Sequence, residues 1–417
     1  MLITSLLRIC LTRSLQPFVF KNTCSNYLDY ANEQELGLYV HIPFCRSICS
    51  FCPYCKVVYN REVAQKYKSA LKKEIEMVGS QLKTKKKVTS LYIGGGTPAL
   101  MLDSLKDIID SLKKYFTIQQ GIGIELHPDD INPEALAQIK TAGVTMVSIG
   151  IQSFNKECLS SLGRNNTDFA AKLQLVQKAN FDVVDVDLIF AIPGQTENIL
   201  LHDIEEAFSN GATQISTYPF IDFTFTHNDY KPMPEKEKKK LLNSIVDYCQ
   251  RTGRERTSVW TFAQKDTGKY SSITRDNFLG FGVSATTLLR REFKINTFSI
   301  DDYFRKVEQD QLPTALTLIF TLRQRAAYYL FWNAYAMEIQ PQKFQELIGR
   351  PLNKMYGLEL WLGVKTGLIV NRDNVYYLTA RGAYYYHRIE QVYTTAYIDK
   401  TWNISRTTAF PDKIILR

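Results

Sequence analysis

Four cysteines, Cys45, Cys49, Cys52 and Cys55, fall within eleven residues, whereas Cys10, Cys24, Cys158 and Cys249 stand apart. Thiolates crowded into so short a loop cannot all follow helix or strand geometry, but they can wrap a compact iron–sulfur centre. Structural zinc draws its ligands as two Cys or His pairs divided by a longer spacer, and no second pair lies nearby. A ferredoxin-like electron-transfer site with Cys55 as fourth ligand is the other reading of this spacing. The length of the chain stands against it, since a simple electron carrier needs no long α/β frame. Eight cysteines in 417 residues are too few for a disulfide scaffold. A tight group in a Cys-poor chain points instead to metal chemistry in a reducing compartment, so a cytoplasmic location is expected.

The loop needs a frame, and the chain supplies a repeating one. Short apolar runs alternate with amphipathic stretches from Leu36 to about Phe220: LGLYVHI (36–42), SLYIGG (90–95), GIGIEL (121–126), TMVSIGIQ (145–152), FDVVDVDLIF (181–190) and ATQISTYPF (212–220). Helices are expected between them, near 64–78, 102–115, 133–141, 168–178 and 198–208. Strands alternating with helices pair in parallel through right-handed crossovers. Six such units suit a partial (β/α)6 TIM-like barrel, although the pattern alone also fits a doubly wound sheet. Alternation within the strands favours the barrel. Leu38, Val40 and Ile42 oppose Tyr39 and His41, and Val184, Val186 and Leu188 oppose Asp185 and Asp187. One face is apolar, for the helices, while the other turns polar toward the strands' C-terminal ends, as in a barrel that binds at that mouth. The cysteine loop follows directly on the first strand.

Composition sets wider bounds. With 45% apolar and 22% charged residues the chain is a folded protein. No run approaches the ~18 apolar residues of a membrane span. The balance of 51 basic against 42 acidic residues, a net +9, is compatible with anionic ligands but is no nucleic-acid signature. The first twenty residues carry Arg8 and Arg13 and no acid. That suits a weak organelle-targeting peptide or a helix docked on the domain; the docked helix is expected.

The segment HIPFCRSICSFC resembles the radical S-adenosylmethionine (SAM) signature C-x3-C-x2-C, in the form used by the oxygen-independent coproporphyrinogen III oxidases and their relatives. GGGTP (94–98), IELHP (124–128), IGIQSFN (149–155), LGR (162–164), DLIFAIPGQT (187–196) and LGFGVSA (279–285) follow in the family's order. The resemblance covers roughly residues 36–406. It implies that Cys45, Cys49 and Cys52 hold a 4Fe–4S cluster with one iron open to SAM, and that reduction cleaves SAM to a 5′-deoxyadenosyl radical. It implies SAM contacts, for one or two molecules, from Tyr39, Phe51, Gly95, Gly96, Thr97, Glu125, Gln152, Arg164, Asp187, Ile221 and Thr286. It implies a monomer with a tetrapyrrole-like substrate, oxidative decarboxylation of propionates to vinyl groups, and an electron donor such as flavodoxin or ferredoxin. Arg46, Arg164, Arg275, Arg323 and Arg325 are the candidates to pair with substrate carboxylates.

The chain departs from that family at three points. Cys52-Pro-Tyr-Cys55 has one spacer residue more than the oxidases' usual C-x-C, so Cys55 is either a catalytic or redox thiol or a structural one. The oxidases' N-terminal segment is not recognisable before Leu36. Arg164 is followed by Asn165, Asn166 and Thr167, without the His usual in the haem-trafficking branch. Three activities therefore stay open: the oxidase reaction, haem delivery as a chaperone, and methyl or methylene transfer or haem opening by related two-SAM enzymes. The expected organisation is an extension (1–35), a core barrel (36–222), a linker and glycine-turn region (223–299) and a C-terminal α+β winged-helix-like domain (300–417). Within it, residues 220–240 read as a solvated connection, Leu241–Gln250 as a helix, and residues 367–378 as a hairpin leading into a final helix. His41 reads as a cluster-tuning or substrate-touching residue, or as a satisfied barrel histidine. Cys158 and Cys249 are expected to pack as small hydrophobes.

Overall fold

The computed structural model describes residues 2–23, 25–165, 168–226, 231–268 and 276–417. All six expected strands form: β1 (Leu36–Ile42), β2 (Leu91–Gly95), β3 (Ile122–Leu126), β4 (Met146–Gln152), β5 (Val183–Phe190) and β6 (Gln214–Pro219). They lie side by side in chain order and pair in parallel throughout. The crossover helices are α1 (Arg61–Gly79), α2 (Leu102–Tyr115), α3 (Pro133–Thr141), α4 (Phe169–Lys178) and α5 (Glu197–Ser209), with the short helix Lys156–Ser161 preceding α4. Their starts are legible in the caps: Asn60 Oδ1 accepts from the Glu62 and Val63 amides, and Asn132 precedes Pro133 at the first helical position. The strand faces expected to meet helices do so. Leu38, Val40, Ile124, Val147, Val186 and Leu188 are fully buried in one cluster with Tyr67, Leu71, Ile108 and Leu112 from α1 and α2.

The sheet does not close. Among the described residues it runs to 14 strands with two free ends, so the barrel is partial. Beyond β1 a seventh parallel strand, β7 (Asn277–Phe281), pairs with β1 from Asn277↔Leu36 to Phe281↔Val40. The sequence FLGFGVSA thus supplies both a strand, Phe278–Phe281, and the expected glycine turn, in which Gly282 has φ of 102° and its carbonyl accepts from the Ala285 amide at 3.2 Å. Gly280 is required because a Cβ there would run into the carbonyl oxygen of Thr286 on the next strand, not because the chain reverses at it. Antiparallel strands Thr286–Leu288, Glu292–Asn296 and Thr314–Ile319 extend this flank.

Residues 220–226 and 231–240, the described part of the expected solvated connection, correct that expectation. Phe220 and Phe223 are buried, and Thr224 donates through its amide and its hydroxyl to Asp399 at 2.9 and 2.8 Å. The Lys run belongs to the helix Glu235–Arg251, longer than expected, in which Lys238 is itself buried. Alternate aromatics in FIDFTF make a wall rather than a solvated link.

At the C-terminal end, α6 (Leu322–Tyr335) opens on a Thr321/Gln324 capping box. The hairpin pairs Ile369–Arg372 with Val375–Leu378, and its two turn residues, Asp373 and Asn374, have φ of 51° and 61°. Helix α7 (Ala380–Tyr393) continues through one π-helical turn, Thr394–Ile398, into Asp399–Thr407. Two short strands went unseen in the sequence: Phe18–Lys21 and Lys413–Leu416, which pair with each other at the sheet's edge. The helix Leu2–Thr12 packs on α6 and α7, with Thr4, Arg8 and Thr12 buried. No helix among the described residues is long and apolar enough to cross a membrane.

Candidate active site

The cysteine loop leaves β1 through the short strand Phe44–Cys45 and returns as Val57–Val58, which pairs with it. The neck is tied by Val57 N to Pro43 O (2.8 Å) and Tyr59 N to Cys45 O (2.9 Å). Inside the loop, Lys56 Nζ donates to the Cys49 and Cys52 carbonyls at 3.2 and 3.0 Å. Cys45, Cys49 and Cys52 all line one cavity of about 930 Å3. Burial pushes the Cys45 thiol up to about 11, with the neighbouring Cys52 adding to the rise. Burial also raises Cys49, against the pull of Arg164.

The residues fit an iron–sulfur cluster. A Cβ on Gly96 would stand 2.5 Å from the Phe44 carbonyl and 3.0 Å from Cys45 Sγ, so only glycine leaves the thiol's side open. Gly95 has φ +120°, and a Cβ there would meet the His41 ring. Thr97 Oγ1 lies 4.0 Å from Cys45 Sγ as a donor. Among the described residues no three His, Cys, Asp or Glu side chains close on a point suited to one ion. Three thiols on a loop, with glycine backbone beside them, suit the wider span of a polynuclear centre.

The strand ends supply the cavity floor. Glu125 accepts from Tyr92 Oη and from the Gly95 amide, both at 2.8 Å. Ser148 on β4 donates to Asp187 at 2.9 Å and to Asp185 at 3.4 Å, and Ser216 on β6 donates to Asp185 at 2.9 Å. Burial raises all three carboxyls, and Asp185 and Glu125 raise Asp187 further. Gln152, which ends β4, has φ of 76°, a left-handed conformation that a non-glycine residue adopts at a cost and that is found often at functional sites. Arg164 meets His127 Nε2 at 2.6 Å, and burial together with that guanidinium holds His127 down to about 4, so the ring is neutral.

Of the residues singled out in the sequence, the cavity wall brings together Cys45, Cys49, Phe51, Cys52, Gly95, Gly96, Thr97, Glu125, Gln152, Arg164, Asp187, Ile221 and Thr286. Tyr39 is not on that wall. Its ring stacks on Tyr92, which is, and its hydroxyl bonds His41 Nδ1 at 2.9 Å. His41 is fully satisfied, its Nε2 lying 3.1 Å from the Cys55 carbonyl. Cys55 is buried off the cavity with Sγ on the Phe298 carbonyl at 3.4 Å, and burial raises its thiol to about 11. Cys158 and Cys249 sit in apolar clusters. Among the arginines, Arg46 and Arg164 line the cavity, Arg46 being paired with Asp130. Arg323 and Arg325 do not: Arg323 lies over the Tyr356 ring, and Arg325 donates to Asp276 and Asn277. Arg275 lies outside the described residues.

The far half of the cavity escaped the sequence reading. Tyr328, Phe331, Trp332 and Tyr335 from α6 and Tyr386, Glu390 and Tyr393 from α7 line it, with Tyr218 from β6 and Trp260 just before the strand Thr261–Ala263. Both helical sets recur at three- and four-residue spacing within YYLFWNAY and AYYYHRIEQVY, which places each on one helix face. That spacing was the available signal.

Residues 39–207 match the model of the radical SAM superfamily. The chain is similar to the heme chaperone HemW of Bacillus subtilis, 26% identical over 82% of this chain and 95% of that protein. It is similar to the oxygen-independent coproporphyrinogen III oxidase of Helicobacter pylori, 25% identical over 63% of this chain and 61% of that protein. The fold matches the solved structure of HemN, the coproporphyrinogen III oxidase of Escherichia coli, with a TM-score of 0.76 at 20% identity over 93% of this chain and 98% of that one. Residues 39–207 thus match the radical SAM superfamily, and the chain has the fold of HemN. The chain is similar to both HemW and the oxygen-independent coproporphyrinogen III oxidases.

Proposed function

We propose that this chain is a radical SAM enzyme of tetrapyrrole metabolism. The observation that carries the reading is one continuous cavity with the three thiols at one end and an aromatic chamber at the other. Cys45, Cys49 and Cys52 would hold a 4Fe–4S cluster, and when SAM is bound to it the pair supplies a carbon-centred radical. The chain's own residues do the rest. Gly95, Gly96 and Thr97 offer backbone and hydroxyl beside the cluster. Glu125, Gln152, Arg164 and Asp187 give SAM a polar floor, with Phe51, Ile221 and Thr286 as its apolar and hydroxyl contacts. Tyr39 supports that floor through Tyr92 and His41. The aromatic chamber fixes a large ring beside the radical source and keeps water away.

The oxidase reaction would need cations for the substrate's carboxylates. Only Arg8, Arg46, Lys56 and Arg164 supply them along the described wall. The match to HemW over 82% of this chain and 95% of that protein favours a second reading, haem binding for delivery. An anaerobic incubation of the reconstituted protein with SAM, a reductant and a tetrapyrrole, followed by mass spectrometry, separates the possibilities. Coproporphyrinogen III giving protoporphyrinogen and CO2 marks the oxidase, and S-adenosylhomocysteine marks group transfer. Stoichiometric haem binding without turnover marks delivery. Failure of every tetrapyrrole to bind or react overturns the proposal.

A further inference from the structure

The N-terminal helix puts a buried cation into the cavity wall, and no anion of the described chain answers it. Arg8, 8% exposed, lines the cavity from the helix Leu2–Thr12. Its Nη1 donates to the carbonyls of Ser14 and Gln16, and its Nη2 to that of Leu15 at 3.4 Å. Its Nε has no partner. Burial raises the Tyr397 hydroxyl while the charge and hydrogen bond of Arg8 oppose the rise, so the two side chains stand together. Tyr397 Oη donates in turn to the Arg417 carbonyl at 3.2 Å. Among the described residues no Asp or Glu forms an ion pair with Arg8, whereas Arg13, one residue past the helix, is paired with Glu359. Buried charges are normally paired. The three carbonyls explain the Nη atoms as a clamp on the turn at 14–16, but they leave the Nε–H and the charge itself unanswered.

We infer that Arg8 is the seat for a carboxylate of the ligand on the chamber side of the cavity, so that the N-terminal helix takes part in substrate recognition. This rests on the tetrapyrrole reading above and adds the residue that fixes the ring's orientation. A guanidinium takes a carboxylate through its planar fork. The rest of the wall that residues 1–20 contribute carries no charge, being Thr4, Leu7, Leu11, Phe18 and Phe20. A free inorganic anion would lose its whole hydration shell against such a wall, whereas a carboxylate on an apolar body brings in one charged end. Ring contacts run from Arg8's neighbour to the chamber: Phe18 to Tyr397 at 6.1 Å between centroids, Tyr397 to Tyr393 at 5.2 Å and Tyr393 to Phe331 at 4.5 Å. A macrocycle lying in the chamber therefore has a side arm within the reach of Arg8. The other cations of the wall, Arg46, Lys56 and Arg164, stand at the cysteine loop. A ring with several carboxylates would then be held at two separated points, which sets the side arm that meets the radical.

The test is a cycle of ligands and variants, read anaerobically on the cluster-loaded full chain by quenching of tryptophan fluorescence, since Trp260, Trp332 and Trp402 all line the cavity. The ligands are mesoporphyrin and its uncharged bis(hydroxyethyl) diamide, which share the ring and differ in the carboxylates. Arg8→Gln removes the charge and keeps an amide NH2 for the carbonyls of the turn. It should weaken mesoporphyrin about tenfold and leave the diamide within about twofold, the pattern expected when a charge-assisted pair with the ligand is lost. Arg8→Lys, which retains the charge and guards against a variant that fails to fold, should weaken mesoporphyrin less than Arg8→Gln does and also spare the diamide. A merely structural clamp would lower the affinity of both ligands alike or of neither, and either result would overturn the inference while leaving the tetrapyrrole reading intact. Binding of neither ligand by wild type would remove that reading instead.

Discussion

At the residue scale the four clustered cysteines divide by environment. Cys45, Cys49 and Cys52 line the cavity, whereas Cys55 is packed away from it against the Phe298 carbonyl. Replacing any of the first three with alanine should reduce bound iron to background after anaerobic reconstitution. Cys55→Ala should retain the wild-type iron-to-protein ratio and lower the melting temperature through the small cavity it leaves. Iron loss equal to that of Cys45→Ala would make Cys55 a ligand. Glu390 carries a prediction about pH. Burial lifts its carboxyl from 4.5 to about 7. The folded chain therefore holds more protons than the unfolded one between those values, and stability falls as pH rises through that window. The shift corresponds to about 3 kcal/mol. Glu390→Gln should be free of that loss, so its advantage over wild type in denaturant melts should grow from pH 4.5 to 7 and then level off. Parallel curves would contradict it.

At the element scale, close approach of backbones decides positions that sequence patterning reads differently. Gly280→Ala drives a Cβ into the Thr286 carbonyl on the neighbouring strand. It should cost about 3 kcal/mol, of the order of other overpacking changes, read as a shift in the urea midpoint. A midpoint within error of wild type would show that β7 can slide away. The turn that the sequence announces starts two residues further on, at Gly282. The parallel strands were legible because each carries its own alternation, as Val184-Asp185-Val186-Asp187 does, and because Asn60, Asn132 and Thr196 mark helix starts. The site's polar half was legible for the same reason, since its residues sit at strand ends. The aromatic half was not, because Tyr328 to Tyr335 and Tyr386 to Tyr393 have the periodicity of any buried helix face. Only tertiary packing shows that these faces line a cavity instead of a core. Phe18–Lys21 and Lys413–Leu416 escaped because three apolar residues and a lysine make a strand only when a distant partner exists.

At the scale of the whole molecule, the two ends of the chain join. Phe18–Lys21 lies between Thr314–Ile319 and Lys413–Leu416, and the helix before it packs on α6 and α7 beside the chamber. Removing residues 1–23 would strip the last strand of its partner and take Thr4, Leu7, Arg8, Leu11, Phe18 and Phe20 from the cavity wall. Limited proteolysis of the truncated chain should then cut first near residues 408–417, a segment the full chain protects. Unchanged protection there would show that the edge strand holds without its neighbour.

All of this depends on Cys45, Cys49 and Cys52 presenting a cluster with room for SAM. The most direct check is to load the protein anaerobically with iron and sulfide, reduce it, add SAM and measure 5′-deoxyadenosine by mass spectrometry. Wild type should form it, Cys55→Ala should form it, and Cys45→Ala, Cys49→Ala and Cys52→Ala should not. A fully loaded wild-type protein that neither forms 5′-deoxyadenosine nor changes its electron paramagnetic resonance spectrum on adding SAM would contradict it.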